Sequence, residues 1–209
     1  MLNILIIYCD YGRLGNRLHT HANALAWCIE NKYNLINLSF SNYAEFFNNS
    51  PKQNTGYLIQ DKNLLFKFFS SRLIRCLLKR LLLSDKWIER LACIINQIRP
   101  TKNDELIESD LCRQIKQNKF NLIKCWDINC RNSINIHQYK LRNYLRPNKK
   151  FVVTAEKVID EMRSKYDCLV GVHARRGDYA TYLEGIHYHS WQSYINWAHQ
   201  TKQVFEKSG

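Results

Sequence analysis

The chain has 209 residues, of which 45% are hydrophobic and 12% aromatic. This composition indicates a globular protein with one large domain or two small ones and excludes an intrinsically disordered chain. Lys and Arg number 31 against 18 Asp and Glu, which gives a formal net charge of +13 and a pI near 9.4. Such an excess favours an anionic partner, such as nucleic acid, acidic lipid headgroups or a nucleotide sugar.

The eight cysteines include no Cys-x-x-Cys pair. This spacing argues against a structural zinc site and is typical of free, mostly buried thiols in a reducing cytosol. No apolar segment reaches the ~18 residues of a membrane span. The short apolar run at 4–7 has no basic residue before it, so it is interpreted as a first strand and not as a signal peptide. We therefore expect a cytoplasmic protein that is not integral to the membrane.

The first part of the sequence predicts a strand, a glycine-containing loop and a helix. Residues 2–8 are typical of a fully buried strand, and the loop 10–16 (DYGRLGN) follows it. A helix with one apolar stripe comes next, because apolar side chains recur at helical spacing at Leu18, Ala22, Leu25, Ala26 and Ile29. The first backbone N–H groups of a helix lack intrahelical partners, so this loop can bind an anion or remain a simple tight turn.

Two histidines follow in the predicted helix. His19 and His21 stand at i and i+2, so they cannot both face one metal ion, and we interpret them as ordinary polar or cleft residues. A second strand is predicted at 34–40, followed by polar loop material through Asp61.

The middle of the chain is basic and rich in leucine. Residues 64–83 contain basic side chains and no acid, which predicts an amphipathic helix or helix pair with either a solvated basic face or a face that docks on an anionic membrane. A helix over 86–99 that ends at Pro100 is predicted next. A strand over 120–128 that carries Trp126 and a basic helix over 137–145 complete this part.

The last part of the sequence predicts a helix, a strand, a loop and a final helix. Residues 146–150 are interpreted as an interdomain crossing, and Thr154 as an N-cap whose helix has Val153 and Val158 as a hydrophobic staple. Residues 169–172 predict a strand buried on both faces, and 179–188 a loop. Ser190 is the predicted N-cap of a final helix that turns four side chains inward: Trp191, Tyr194, Ile195 and Ala198.

The segment 173–178, HARRGD, places charge directly after that predicted strand. Ligands of parallel sheets lie at the carboxyl ends of the strands, and paired guanidinium groups there suit a phosphate or pyrophosphate. Gly177 would allow a tight turn, and Asp178 could hold one arginine in position. The alternatives are surface ion pairs for Arg175 and Arg176 or an integrin-type adhesion tripeptide at 176–178.

HARRGD closely resembles the His-x-Arg-Arg-Gly-Asp motif of the α-1,2- and α-1,6-fucosyltransferases, which contacts the diphosphate of GDP-fucose. The segment 12–16, GRLGN, resembles the Gly-x-x-Gly-Asn loop of the same families and of the protein O-fucosyltransferases, although Arg17 replaces the glutamine common in the α-1,2 family. The resemblance implies donor-binding residues on two segments: His173, Arg175, Arg176, Asp178, Gly12, Gly15 and Asn16.

The resemblance also implies a fold and a domain organisation. It implies a GT-B-like α/β architecture, with an N-terminal α/β domain over 1–146 that has a helical insertion at about 64–100. Residues 147–209 would begin a second, Rossmann-like nucleotide-sugar domain. A nucleotide-binding α/β domain needs ~100 residues or more, so we expect this domain to be incomplete and the chain to be a truncated, inactive fragment.

The activity implied is metal-independent, inverting transfer of L-fucose from GDP-fucose to a sugar hydroxyl of a surface glycan, with a galactoside α-1,2 linkage favoured. Arg175 and Arg176 would neutralise the leaving diphosphate, and Glu184 is the candidate base, expected to face the cleft on the same side as Asn16. No other cofactor is expected. The alternative is a module without catalysis that binds nucleic acid or a membrane surface through its positive charge.

Overall fold

The computed structural model describes residues 3–9, 11–40, 43, 46–47, 56–57, 80, 90, 93–100, 104–117, 120–174 and 176–208. The chain divides into two compact units, Met1–Thr154 and Ala155–Gly209. The sequence predicted the boundary earlier, at 146–147. Helices combine with mainly parallel strands, which confirms the predicted α/β class.

All of the described strands lie in the first unit, and the described regular elements after them are helices. The strands are β1 (Ile4–Ile7), β2 (Asn34–Asn37), β3 (Gly56–Tyr57), β4 (Ile95–Ile98), β5 (Glu105–Ile107), β6 (Phe120–Ile123) and β7 (Asp127–Asn129). The helices are α1 (Leu14–Asn31), α2 (Glu108–Gln114), α3 (Arg131–Tyr144), α4 (Lys149–Arg163) and α5 (Trp191–Ser208).

The main sheet has the strand order β3-β2-β1-β6-β4. Strands β2, β1, β6 and β4 run parallel, with Ile4 opposite both Asn34 and Phe120, while β3 is antiparallel to β2. Strands β5 and β7 form a separate parallel pair. Because β1 has β2 on one side and β6 on the other, the chain order reverses at β1. In open parallel sheets, ligands bind at the carboxyl edge of such a reversal.

Strand β1 is buried on both faces, as its uninterrupted apolar sequence predicts. Leu5 and Ile7 pack in one cluster with Leu25 of α1, whereas Ile4 and Ile6 pack in a second cluster on the other face. This alternation follows from the two-residue period of a strand. The packing of β1 on both faces therefore fixes the point and direction at which the chain leaves the sheet and enters the following loop.

The prediction of a helix over 86–99 is wrong for its last part, because residues 95–98 form β4. This strand pairs with β6 in parallel register, with Ile95 opposite Phe120 and Ile98 opposite Ile123. A segment as short as Ile-Asn-Gln-Ile fits a helix and a strand equally well in periodicity, and the pairing with β6 decides between them.

The single strand predicted over 120–128 is two strands in two different sheets. Strand β6 belongs to the main sheet and β7 to the small one, and Trp126 lies at the bend between them, 47% exposed. The helix predicted at 137–145 exists as α3 and begins earlier, at Arg131.

The strand predicted at 169–172 is wrong. These residues have no regular secondary structure, and Leu169, Val170 and Val172 are exposed. A buried strand needs a neighbouring strand, and no described residue pairs with this segment. The predicted N-cap at Thr154 is also wrong, because α4 begins at Lys149 and the Thr154 hydroxyl donates to the Lys150 carbonyl.

The N-cap predicted for α5 is confirmed, whereas the predicted burial of one face of this helix is not. The Ser193 N–H donates to Ser190 Oγ at 3.1 Å, as an N-cap requires. Trp191 and Ile195 are 58% and 46% exposed, and Ala198 is exposed as well, so the predicted inward orientation is wrong for these three, while Tyr194 is partly buried. The predicted loop over 179–188 contains two short 3-10 turns, at Gly177–Ala180 and Tyr182–Gly185.

The predicted basic helix at 64–83 lies outside the described residues, apart from the helical Arg80. Within the described ranges, no helix combines the length and apolar character that a membrane span requires.

Candidate functional site

The loop after β1 depends on a glycine. Gly12 has φ +61°, and a Cβ built there would lie 2.3 Å from Asn16 Nδ2. Both the backbone conformation and the close approach of Asn16 therefore require glycine at this position. The loop ends at once in α1, so the predicted loop residues Gly15 and Asn16 lie in the first turn of that helix.

Arg17 holds this loop against the end of β2. Its Nε donates to the Gly12 carbonyl at 3.1 Å, and its Nη1 donates to the Ser39 carbonyl at 2.9 Å. The guanidinium also lies over the ring of Tyr43, 5.4 Å from the centroid. The residue that departs from the fucosyltransferase pattern thus has a structural role, which is to join the carboxyl ends of two neighbouring strands.

The N-terminus of α1 is open. Asn16 is exposed, and a Cβ at Gly15 would meet nothing within 4 Å. The first turn contains no acidic side chain, and the exposed Arg13 precedes it. Arg13, the N-cap, makes no side-chain cap hydrogen bond, and the positive end of an 18-residue helix favours a negatively charged ligand here.

A histidine and a carboxylate meet near this helix start. His19 Nδ1 lies 2.9 Å from Asp127 Oδ1, and Asn23 Nδ2 lies 3.2 Å from His19 Nε2. Asn23 is itself oriented, because its Oδ1 accepts from the Cys130 N–H at 2.8 Å. The arrangement fits a neutral imidazole that donates from Nδ1 to the carboxylate. Sequence reasoning missed this pair, since its members are 108 positions apart.

His21 is a structural residue on the other side of α1. It is buried, and Asn37 Nδ2 lies 3.3 Å from its Nδ1. Burial lowers the pKa of His21 to about 3, so the ring stays neutral and packs in the core. No group of three or more His, Cys, Asp or Glu within the described ranges is arranged to hold a metal ion.

In the second unit, Arg176 is held against aromatic rings. Its Cζ lies 5.0 Å from the ring centroid of Tyr188 and 4.8 Å from that of Trp191, within the range of cation–π attraction. Its Nη2 donates to the Tyr188 hydroxyl. Its Nε is buried and has no hydrogen-bond partner among the described residues. No carboxylate whose side chain the structure describes forms an ion pair with Arg176.

The other predicted residues of this segment are placed as follows. His173 is exposed in irregular chain, and Glu184 is exposed with a left-handed φ of 57°. Gly177 has φ +41°, as expected for the predicted turn. Arg175 and the side chain of Asp178 lie outside the described part of the chain. The expectation that Glu184 faces the same cleft as Asn16 concerns both units and stays a prediction.

Comparison of the chain with protein-family models, with curated proteins and with solved structures finds no match. The resemblance to fucosyltransferases therefore rests on the segments 12–16 and 173–178 alone.

Proposed function

We propose that this chain is a fucosyltransferase of GT-B-like architecture. The reaction is the inverting, metal-independent transfer of L-fucose from GDP-fucose to a sugar hydroxyl of a surface glycan, with a galactoside α-1,2 linkage. The proposed location is the cytoplasm, at the inner face of the cell membrane.

The observation that carries the proposal is the state of Arg176. A guanidinium is always charged, and a half-buried one normally has a carboxylate or phosphate partner. The Arg176 guanidinium lies over the rings of Tyr188 and Trp191, and its buried Nε has no hydrogen-bond partner among the described residues. A cation held in this way, inside a segment that resembles a diphosphate-binding motif, suits an anionic ligand.

The roles of the other residues follow from the charge that develops in the reaction. As the bond between fucose C1 and the diphosphate oxygen breaks, negative charge grows on the diphosphate, and Arg176 with Arg175 would neutralise it. His173 would donate a hydrogen bond to the same group. The resemblance assigns Asn16 a place near the transferred sugar, and the helix start at Gly15 and Asn16 is by itself suited to a negatively charged group. Glu184 remains the candidate that accepts the proton of the attacking hydroxyl.

Donor binding is tested with GDP and two arginine variants. If the proposed donor site is complete in this chain, the chain binds GDP in titration calorimetry, contrary to the expectation of an inactive fragment. Arg176→Ala then weakens the affinity about tenfold or more, the loss expected for a charge-assisted contact. Arg163→Ala is the matched control, because Arg163 is an exposed arginine of α4. Absence of GDP binding, or equal affinity of Arg176→Ala and the parent chain, would contradict the proposed donor site.

Transfer is tested separately with labelled GDP-fucose and a galactoside acceptor. If the chain is active, the product has the inverted anomeric configuration and a chelator leaves the rate unchanged. Glu184→Gln should keep GDP affinity and lose transfer if Glu184 is the base. A chelator-sensitive rate would contradict the metal-independent mechanism, and full transfer by Glu184→Gln would exclude Glu184 as the base.

A further inference from the structure

A continuous part of the first unit contains cations and no acid. Between Asp127 and Glu156 the sequence has no Asp or Glu. The basic residues of this part are Arg131, Lys140, Arg142, Arg146, Lys149 and Lys150, and all of them are exposed. They lie on α3, on the turn that follows it and at the start of α4.

The outward face of α3 combines these cations with apolar side chains. At 100° per residue, Arg131, Tyr139 and Arg142 lie on one side of the helix, opposite the buried Ser133 and Leu141. Tyr139 is 77% exposed, and Ile136, at the edge of the same face, is 63% exposed. A helix that exposes both cations and apolar side chains on its free face is typical of an interfacial helix.

Two acids that the structure describes contact α3 on its inner side. Glu30 of α1 pairs with His137 at 2.6 Å, and Glu108 accepts from the Ser133 hydroxyl at 2.5 Å and from the Asn132 N–H at 3.1 Å. These carboxylates form their hydrogen bonds at the interface where α3 packs against the rest of the unit. They do not neutralise the outward face.

A groove runs beside this face, between α1 and α3. It has a volume of about 540 Å³, and its apolar lining includes Leu18 and Ala22 of α1 and Leu145 after α3. Arg142 and Arg146 also line it. Apolar lining beside two guanidinium groups fits a phosphate headgroup together with the first carbons of its lipid.

We propose that α3 and the turn after it dock on a bilayer that contains anionic phospholipid. Charge complementarity selects an anionic partner, and each Lys or Arg near such a surface contributes about fivefold to binding. The exposed Ile136 favours lipid over nucleic acid, because an aliphatic side chain inserts into the interface and makes no comparable contact with a phosphate backbone. This inference is independent of the proposed transferase activity.

The test is sedimentation of the whole chain with vesicles. We expect binding to vesicles of phosphatidylglycerol and phosphatidylcholine, suppressed by high salt, and little binding to phosphatidylcholine alone. The triple variant Arg131→Gln, Arg142→Gln, Arg146→Gln should bind on the order of 100-fold more weakly. Ile136→Ser should weaken binding several-fold, because it removes an inserted apolar side chain.

The matched control removes the same charge from exposed positions in the second unit, with Lys157→Gln, Arg163→Gln and Lys202→Gln. It should change vesicle binding far less than the α3 triple variant does. Urea unfolding midpoints of all variants confirm that each is folded. Equal losses in the two triple variants, or binding that depends only on the basic residues of 64–83, would overturn the proposal. So would binding to single-stranded RNA that is tighter than vesicle binding and depends on the same three arginines.

Discussion

The imidazole of His21 stacks on the ring of Phe40, with centroids 4.3 Å apart and planes 9° from parallel. This contact joins α1 to the turn after β2. The same turn is fixed by Asn37, whose Oδ1 accepts from the Ser39 N–H, the Ser39 hydroxyl and the Phe40 N–H at 3.0, 2.7 and 3.1 Å. A neutral, buried histidine is thus part of the structure that positions the carboxyl edge of the sheet.

Protonation of His21 should therefore destabilise the fold. Because burial lowers its pKa to about 3, the unfolded chain binds a proton that the folded chain does not bind between about pH 6.5 and 3. The contribution is a loss of about 1.4 kcal/mol of unfolding free energy per pH unit as the pH falls through that window. Urea unfolding between pH 7 and 5 measures it. His21→Phe should have a flatter pH profile than the parent chain, whereas the exposed control His199→Gln should keep the parent slope.

Gly12 should not tolerate a side chain. Gly12→Ala combines a left-handed φ with a Cβ placed 2.3 Å from Asn16 Nδ2, so we expect a loss of about 2 kcal/mol in unfolding free energy. Gly15→Ala is the matched control: its Cβ would meet nothing within 4 Å, and alanine favours a helix by up to ~1 kcal/mol over glycine. Equal unfolding midpoints for the two variants would contradict this account of the loop.

Asn121 should be essential for the packing of β4 against β6. It is fully buried, its Oδ1 accepts from Asn96 Nδ2 at 2.8 Å and from the Lys116 N–H at 2.9 Å, and its Nδ2 donates to the Lys116 carbonyl at 2.9 Å. Asn121→Leu leaves these buried groups without partners, at an expected cost of about 3 kcal/mol. Asn135→Leu, at an exposed position of α3, should stay within about 0.5 kcal/mol of the parent chain. Denaturant unfolding of both variants measures the two changes in unfolding free energy.

Thiol reactivity should divide the cysteines by burial. Burial raises the pKa of the Cys125 thiol to about 12 and that of Cys28 well above its usual range, so neither forms a thiolate near neutral pH. Cys93, Cys112 and Cys168 are exposed. A short alkylation of the native chain at pH 8, read by peptide mass spectrometry, should modify the exposed thiols and leave Cys28 and Cys125 free. Rapid modification of Cys125 would contradict the buried environment.

If the proposed function holds, the two aromatic rings beside Arg176 each contribute to donor binding. Tyr188→Phe removes one hydrogen bond and keeps the ring, so GDP affinity should fall about fivefold. Trp191→Leu removes the closer ring contact and should cost a similar factor. Trp197 pairs with His189 and Tyr194, so Trp197→Leu is the control expected to leave GDP affinity unchanged. Titration calorimetry of the three variants with GDP measures these affinities.

The fold of the first forty residues was largely predictable from local sequence. Strand β1 has an unbroken apolar run, and glycine and helical periodicity follow it, so the β1-loop-α1 unit and β2 were expected within a few residues of their observed bounds. The Ser190 cap was predictable for the same reason. In each case the signal lies within one turn or one strand, and local backbone chemistry determines the result.

The sequence by itself determined the α/β class, the positive charge and the segments that resemble fucosyltransferases. Only the tertiary structure decided that 95–98 is a strand, because β6 pairs with it, and that 169–172 is not one, because no described strand does. It also placed His19 beside Asp127 and Arg176 within reach of the rings of Tyr188 and Trp191. These relationships depend on which surfaces meet after the chain folds, and neither periodicity nor spacing along the sequence contains that information.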